Sequence, residues 1–413
     1  MISEQAAQVL AAQVLEAQWR EPGFTCPNSR TYPWLWLWDS CFHAIVWAQL
    51  ERPDRAIAEL STVLAAQDSD GFVPHVQYLN GSTAHDEFWG RRHTSSITQP
   101  PMYGHAIAEL ARQGVAIPAD LLERATVGLN FLFERRRRTA SGLIEIVHPW
   151  ESGCDHSPRW DDLVFGGDEF DEQTLFRRKG ELLQGVERLP GGAPIWNSEF
   201  AVGSVAFSAL TAFCAAELAQ VTGDKALLSH AAQVSAALSS RWEPELRTWV
   251  DDGPTATGSG RVRTVEALLP LLTLPLTLPL LALPLQAQPE TFDGGALTAQ
   301  VASLVERELC DEHAFAGEFG ERQVHREEPT YLPTTYWRGP SWPQLNYLLW
   351  VGLKRVGKFS AAAQIAQRSY RGAVQSGWAE YFDADTGSAC GAVPQSWTTL
   401  AVCMNPQGEM NYK

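Results

Sequence analysis

Apolar residues return every three to four positions along most of this chain, a period that suits helices and little else. The spacing predicts helices over about 3–20, 38–51, 54–66, 102–113, 119–137, 197–221, 225–241, 258–269, 295–309, 343–356, 359–375 and 395–404. In the fifth, Leu121, Ala125, Leu129 and Leu132 share one face; in the fourth, Ile107, Leu110 and Ala111 do. The basic run at 135–138 closes the fifth helix, where cations suit the helix dipole. Strand signals are short, at 72–78, 142–147 and 247–250, each beside turn residues. A dozen helices without a clear linker predict one all-α domain over 1–413. An (α/α)6 barrel, a toroid of paired helices whose long loops form the active-site pocket, fits that count. A bundle with an appended module is the alternative.

Bulk properties narrow the partners. The 48 acidic and 32 basic residues leave a net charge of -16, which repels phosphate backbones and excludes general nucleic-acid binding. Seven cysteines without a CxxC spacing predict reduced thiols in a cytoplasmic protein, and the N-terminus reads directly as an amphipathic helix rather than a signal peptide. The stretch "VEALLPLLTLPLTLPLLALPLQ", residues 265–286, is long and apolar enough for a membrane span. Prolines at 270, 275, 279 and 284 would break that ladder roughly every turn, so a short helix followed by an apolar extended loop is expected, and no membrane partner. Oligomeric state is left open.

Chemistry concentrates in "HPWESGCDHSPRWD", residues 148–161, which has prolines and a glycine but no apolar period, and so reads as a loop. Glu151, Asp155, Asp161 and Asp162 lie in or beside it with Trp150 and Trp160. Such acids either act on a ligand or cap neighbouring helices. Sixteen tryptophans, several clustered as in "WLWLWDS" and "YWRGPSWP", offer rigid faces that stack on sugar rings or fill a core. A second acidic and aromatic loop, "SGWAEYFDADTGSACGAVPQSWT" at 376–398, carries Glu380. Two carboxylates from distant loops facing one pocket are what glycoside hydrolysis requires: one protonated, to assist the leaving oxygen, and one ionised, to activate water or attack. Pattern alone does not single out Asp155 from its acidic neighbours.

A family resemblance selects among them. "ESGCDHSPRW" is similar to the catalytic-acid segment of trehalases and of glycoside hydrolase family 63, and "EYFDADTG" followed by "SWT" resembles the catalytic-base segment of family 63. "WDSCFHA", "TQPPMYGHA" and "YWRGPSWPQLNYLL" resemble further motifs of that family, in its order, between residues 32 and 398. Length and "HPWESGCD" are most similar to the bacterial mannosylglycerate and glucosylglycerate hydrolase branch. The stretch after Leu271 departs from the family pattern.

The resemblance implies an (α/α)6 barrel and an inverting mechanism with Asp155 as general acid and Glu380 as general base, separated by about 6.5–9.5 Å. It implies a sugar held by Tyr32, Asp39, Gln99, Trp150, Trp342 and Gln395, with Trp38 and Trp397 as walls and Tyr336 and Trp337 on the glycerate side. The small-molecule substrate, mannosylglycerate or glucosylglycerate, is an anion, so an acidic protein needs a local cation. "LFRRKG" supplies Arg177, then Arg178 and Lys179, with Arg91 and Arg92 as further candidates, unless that stretch is an ordinary exposed basic turn. No cofactor is expected, and no metal: there is no HExxH, and "HDE" at 85–87 lacks partners. Another family 63 or trehalase-like α-glucosidase stays open, as do a sugar epimerase, for which only His148 and His156 lie in the acidic loop, and a non-catalytic sugar-binding protein.

Overall fold

A computed structural model describes residues 4–166, 169–276 and 294–404. Its α-helices are α1 (Glu4–Gln18), α2 (Leu37–Gln49), α3 (Pro53–Ala65), α4 (Asp86–Trp89), α5 (Tyr103–Arg112), α6 (Ala119–Glu134), α7 (Asp161–Phe165), α8 (Glu172–Gln184), α9 (Val205–Thr222), α10 (Lys225–Ser239), α11 (Gly294–Cys310), α12 (Pro343–Arg355) and α13 (Phe359–Gln375). Two predicted helices are instead 3-10 segments, Glu266–Leu276 and Ser396–Val402. The first is tightened by its prolines, which cannot donate to an α ladder. Thr273 Oγ1 donates to the Pro270 carbonyl at 2.8 Å inside that turn. The extended loop expected beyond it lies outside the described residues.

Helix contacts form a closed circuit. Helix α2 packs on α5, α5 on α9, α9 on Glu266–Leu276, that segment on α12, α12 on Ser396–Val402, and the last returns to α2. Each member is backed by one further helix: α3 on α2, α6 on α5, α10 on α9, α11 on Glu266–Leu276, α13 on α12 and α1 on Ser396–Val402. Sequence explains the two tiers. Helix α9 has no polar face and is buried nearly end to end, and α2 is buried from Leu37 to Ala48, as helices enclosed on all sides must be. Helix α9 is also apolar and long enough to cross a membrane, and its burial inside the protein accounts for that composition. Helices α3 and α13 bury one stripe each.

Among the described residues, strands are confined to six two-stranded antiparallel ladders. The predicted strand regions appear as Val76–Gln77, paired with Leu35–Trp36; Glu145–Ile146, paired with Val202–Gly203; and Thr248–Trp249, paired with Trp242–Glu243. Helix α9 starts eight residues later than the 197 predicted, at Val205, because Ser204 caps it by accepting the Phe207 amide at 3.3 Å. The stretch before it is a hairpin, Val186–Arg188 with Pro194–Asn197. Helix α8 escaped the periodicity because its composition is polar; Asp171 caps it, accepting the Thr174 amide at 2.7 Å.

Candidate active site

A two-chambered pocket opens where the inner helices begin. The inner chamber, with about 420 Å³ of empty space, is lined by Trp38 and Asp39 from the first turn of α2, Gln99 ahead of α5, Trp337 ahead of α12, and Gln395 and Trp397 at the start of Ser396–Val402. A wider outer chamber adds Trp150, His156, Phe176 and Lys179. Tyr32, Trp36, Gln99, Asp155, Tyr336 and Glu380 border both. Several buried polar atoms of the lining have no protein partner among the described residues: Trp36 Nε1, Trp337 Nε1 and Gln395 Oε1. Buried polar groups are normally bonded, so these atoms are available to a ligand.

The acidic loop is fastened by three of its four carboxylates. Glu151 is buried against Arg136, with Nη1 to Oε1 at 2.9 Å, and also accepts the amides of Thr98 and Val147. Asp161 takes a bidentate pair from Arg338 at 2.9 and 2.6 Å. Asp162 accepts the Ser259 amide at 2.6 Å. The carboxyl of Asp155 accepts no hydrogen bond among the described residues and faces both chambers. Structural work thus absorbs the neighbours and leaves Asp155 available. Gly153 sets the turn before it: its φ is +74°, and a Cβ there would meet the Trp38 ring at 2.5 Å.

Glu380 is treated differently. Tyr32 donates to its Oε1 at 3.1 Å and the Ala392 amide to its Oε2 at 2.9 Å. Its backbone carbonyl accepts the Trp397 indole at 2.9 Å. Trp378, two residues earlier, and Trp337 hold φ of +65° and +58°. Such backbone costs about 1–3 kcal/mol per residue and is kept where the surroundings dictate it.

Charges in the chamber act on one another. Burial pushes the Glu380 carboxyl up to about 7, opposed by its two donors and reinforced by Asp155. Burial raises Asp155 too, and Lys179 pulls it back. Burial raises Asp39 well above the carboxylate range, and the charges of Glu380 and Asp155 add to this. Three carboxyls sharing one chamber cannot all ionise near neutrality, so the site retains a proton there. Hydrogen bonding favours charge on Glu380, which has two donors, whereas the Lys179 ammonium favours charge on Asp155, so the two effects oppose each other in the unliganded site.

Among the described residues, the cation lining this pocket is Lys179, not Arg177. The Arg177 side chain is 60% exposed and pairs with Glu181 at 2.7 Å, Arg178 pairs with the same glutamate at 2.6 Å, and neither lines the pocket. Arg91 pairs with Asp68, and neither it nor Arg92 reaches the chambers. Lys179 is 1% exposed. Its ammonium donates to His156 Nε2 at 2.8 Å and lies 5.1 Å over Trp150 and 4.7 Å over Phe176. Burial, then Lys179 and Arg338, depress His156 to about 2, so its ring is neutral. Lys179 therefore forms no ion pair among the described residues. The signal was present in the sequence: Leu175, Lys179 and Leu182 follow the three-four spacing of one buried face, so the lysine occupies an inward position.

Other expected residues divide. Tyr32, Asp39, Gln99, Gln395, Tyr336 and Trp337 line the inner chamber with both carboxyls, as do Trp38 and Trp397, whereas Trp150 lines only the outer one. Trp342 does not reach the pocket: it stacks behind Trp337 with centroids 3.5 Å apart and against Tyr381 at 4.4 Å. His148 is engaged through both nitrogens, with the Lys179 carbonyl at 2.9 Å and the Trp150 amide at 3.1 Å, and burial holds it near 3. Neither loop histidine is thus placed to serve as an epimerase acid or base. His105, Glu109 and Glu217 converge elsewhere, but Arg112 and Arg355 already neutralise Glu217, which describes an ion-pair network rather than a metal site.

Comparison with known proteins gives one consistent set. The family model described as "Mannosylglycerate hydrolase MGH1-like glycoside hydrolase domain" matches residues 32–281 and 289–398. The match runs unbroken past Leu271, so the departure from the family pattern falls at 282–288. The glucosylglycerate hydrolase of Mycolicibacterium hassiacum is 29% identical, over 90% of this chain and 91% of its own. The mannosylglycerate hydrolase of Rubrobacter radiotolerans is 27% identical, over 94% of each. In fold, the chain resembles the family 63 mannosylglycerate hydrolase of Thermus thermophilus, solved with Tris and D-glycerate, at a TM-score of 0.76, 24% identity, and coverage of 96% and 99%. It also resembles the neutral trehalase of Saccharomyces cerevisiae, at a TM-score of 0.58, 14% identity, and coverage of 94% and 73%.

Proposed function

Because the chain belongs to the mannosylglycerate hydrolase MGH1-like glycoside hydrolase family, we propose that it cleaves an α-glycoside of D-glycerate, mannosylglycerate or glucosylglycerate, with inversion. The fold we infer is a single (α/α)6 barrel over 1–413, supported by the closed circuit of six inner and six backing segments. One observation carries the mechanism: Asp155 without hydrogen-bond partners and Glu380 with two donors border the same chamber. Asp155 donates its proton to the glycosidic oxygen as the bond to the anomeric carbon breaks. A water attacks that carbon from the opposite face and yields its proton to Glu380. Sugar and glycerate leave, and solvent returns the proton from Glu380 to Asp155.

Asp39, Gln99 and Gln395 hold the sugar's hydroxyls between Trp38, Trp337 and Trp397. The glycerate lies toward Tyr336 and the outer chamber, where Lys179 supplies the cation. A buried ammonium with no anion in direct contact is costly, and a ligand carboxylate would supply that contact, which favours an acid over trehalose as substrate. The seven free thiols support placing the reaction in a reducing, cytoplasmic compartment.

The test is proton NMR of the protein incubated with α-mannosyl-D-glycerate, α-glucosyl-D-glycerate and trehalose. The expected result is β-sugar appearing first from a glycerate glycoside. An α-anomer released first would overturn inversion, and cleavage of trehalose alone would overturn the substrate class.

A further inference from the structure

The chemistry around Lys179 does more than offer an anion site. Its ammonium touches uncharged groups, His156 Nε2 and the faces of Trp150 and Phe176. The carboxyls of Asp155 and then Glu172, which line the same chamber, act on it without forming an ion pair among the described residues. The lysine's helix is tied to the catalytic loop where His148 donates to the Lys179 carbonyl. Asp155 is next to His156 in the chain and borders the same outer chamber as Lys179. Each of the two feels the other's charge.

Resting on the functional reading above, we infer that the substrate's own carboxylate turns on the general acid: by neutralising Lys179 it lets Asp155 keep its proton in the bound complex. The groups facing Asp155 make this a one-cation balance. Glu380, Asp39, Tyr32, Tyr336 and Cys154 around it are anionic or neutral and favour its protonated form or leave it unchanged; His156 is neutral. Lys179 alone among these opposes protonation. In the unliganded site the ammonium stabilises an ionised Asp155, which cannot donate. A bound carboxylate pairs with the ammonium and cancels that effect, and the acid regains its proton when a correct substrate is present. A neutral glycoside leaves the ammonium uncompensated and meets a weaker acid. Specificity for an acid would then reside in kcat as well as in KM.

The discriminating measurement is the pH dependence of kcat at saturation, which reports groups in the bound complex, for mannosylglycerate and for uncharged mannosylglycerol. Donation fails as Asp155 loses its proton, so its ionisation forms the alkaline limb. The wild-type limb should lie about one pH unit or more higher with mannosylglycerate. Lys179→Met should lower kcat/KM for mannosylglycerate ~30-fold or more. The same variant should move the mannosylglycerol limb upward, because the opposing charge is gone. Lys179→Arg should preserve the separation between substrates. Coincident wild-type limbs, or equal losses on both substrates in Lys179→Met, would overturn the inference. The wild-type comparison decides alone should Lys179→Met fail to fold. A wild-type protein that cleaves neither glycerate glycoside sinks the substrate reading instead, a distinguishable failure.

Discussion

Tyr32 donates its phenolic hydrogen to Glu380 Oε1 at 3.1 Å, joining a loop near the start of the chain to one near its end. The bond favours the ionised carboxyl, which burial otherwise pushes up to about 7. Ser396 reinforces the same closure by donating its amide to the Pro27 carbonyl at 3.0 Å. The proposed base is therefore tuned from a segment remote in sequence.

Removing that donor has a signed consequence. In Tyr32→Phe the Glu380 carboxyl rises further, and a base must be ionised to act, so the acidic limb of kcat/KM should move to higher pH by about one unit. Activity below pH 6 should fall roughly tenfold and recover in part at pH 8. A limb that stays in place would remove Tyr32 from tuning the base.

The acidic loop separates chemistry from structure. Asp155→Asn and Glu380→Gln should each lower kcat by ~10²–10⁴-fold or more while circular dichroism and melting stay close to wild type. Glu151→Ala should do the reverse in kind: it strands Arg136 in a fully buried site and should cost ~3–5 kcal/mol of stability. Urea titration of the three variants distinguishes these outcomes. A stable Glu151→Ala protein lacking only activity would reassign that carboxylate.

Sequence legibility followed the physics of each element. Helices with one apolar stripe, such as α6 with Leu121, Ala125, Leu129 and Leu132, were visible because burial enforces their period. The start of α9 was not, because the apolar residues ahead of Ser204 serve a hairpin and a ladder, and only the cap marks the boundary. The 3-10 geometry of Glu266–Leu276 follows from prolines that periodicity ignores. Motif resemblance named Asp155 and Glu380, but charge in one dimension pointed to Arg177, because solvent exposure is invisible in a run of cations. Trp342 was misplaced for a related reason: adjacent tryptophans look alike until packing puts one at the chamber and another behind it.

Gly391 offers a test of backbone placement. Its φ is +69°, and a Cβ there would collide with Glu380 Oε2. Gly391→Ala combines a left-handed backbone penalty of about 1–2 kcal/mol with displacement of the Glu380 carboxylate. A shift of the carboxylate by about 1 Å can cost ~10²-fold, so kcat should fall by that order with a modest loss of stability. Unchanged kcat would mean that the hairpin relaxes without moving Glu380.

Glu59 links stability to pH in a direction opposite to the usual carboxylate. It is fully buried, accepts the Thr25 amide at 2.7 Å, and burial pushes its carboxyl from 4.5 up to about 8. The folded state therefore binds a proton that the unfolded state has released between those values. Its contribution is fully present below about pH 4.5 and is lost as pH rises toward 8. Glu59→Gln mimics the protonated form, keeps an acceptor for Thr25, and carries no titration. The variant should match wild type near pH 4 and exceed it increasingly from pH 5 to pH 8. Asp39, Asp155 and Glu380, raised by burial as well, slope the same way in both proteins, so the difference between the two curves isolates Glu59. Urea midpoints at pH 4, 6 and 8 measure it. A constant offset across that range would show that Glu59 does not take up a proton on folding.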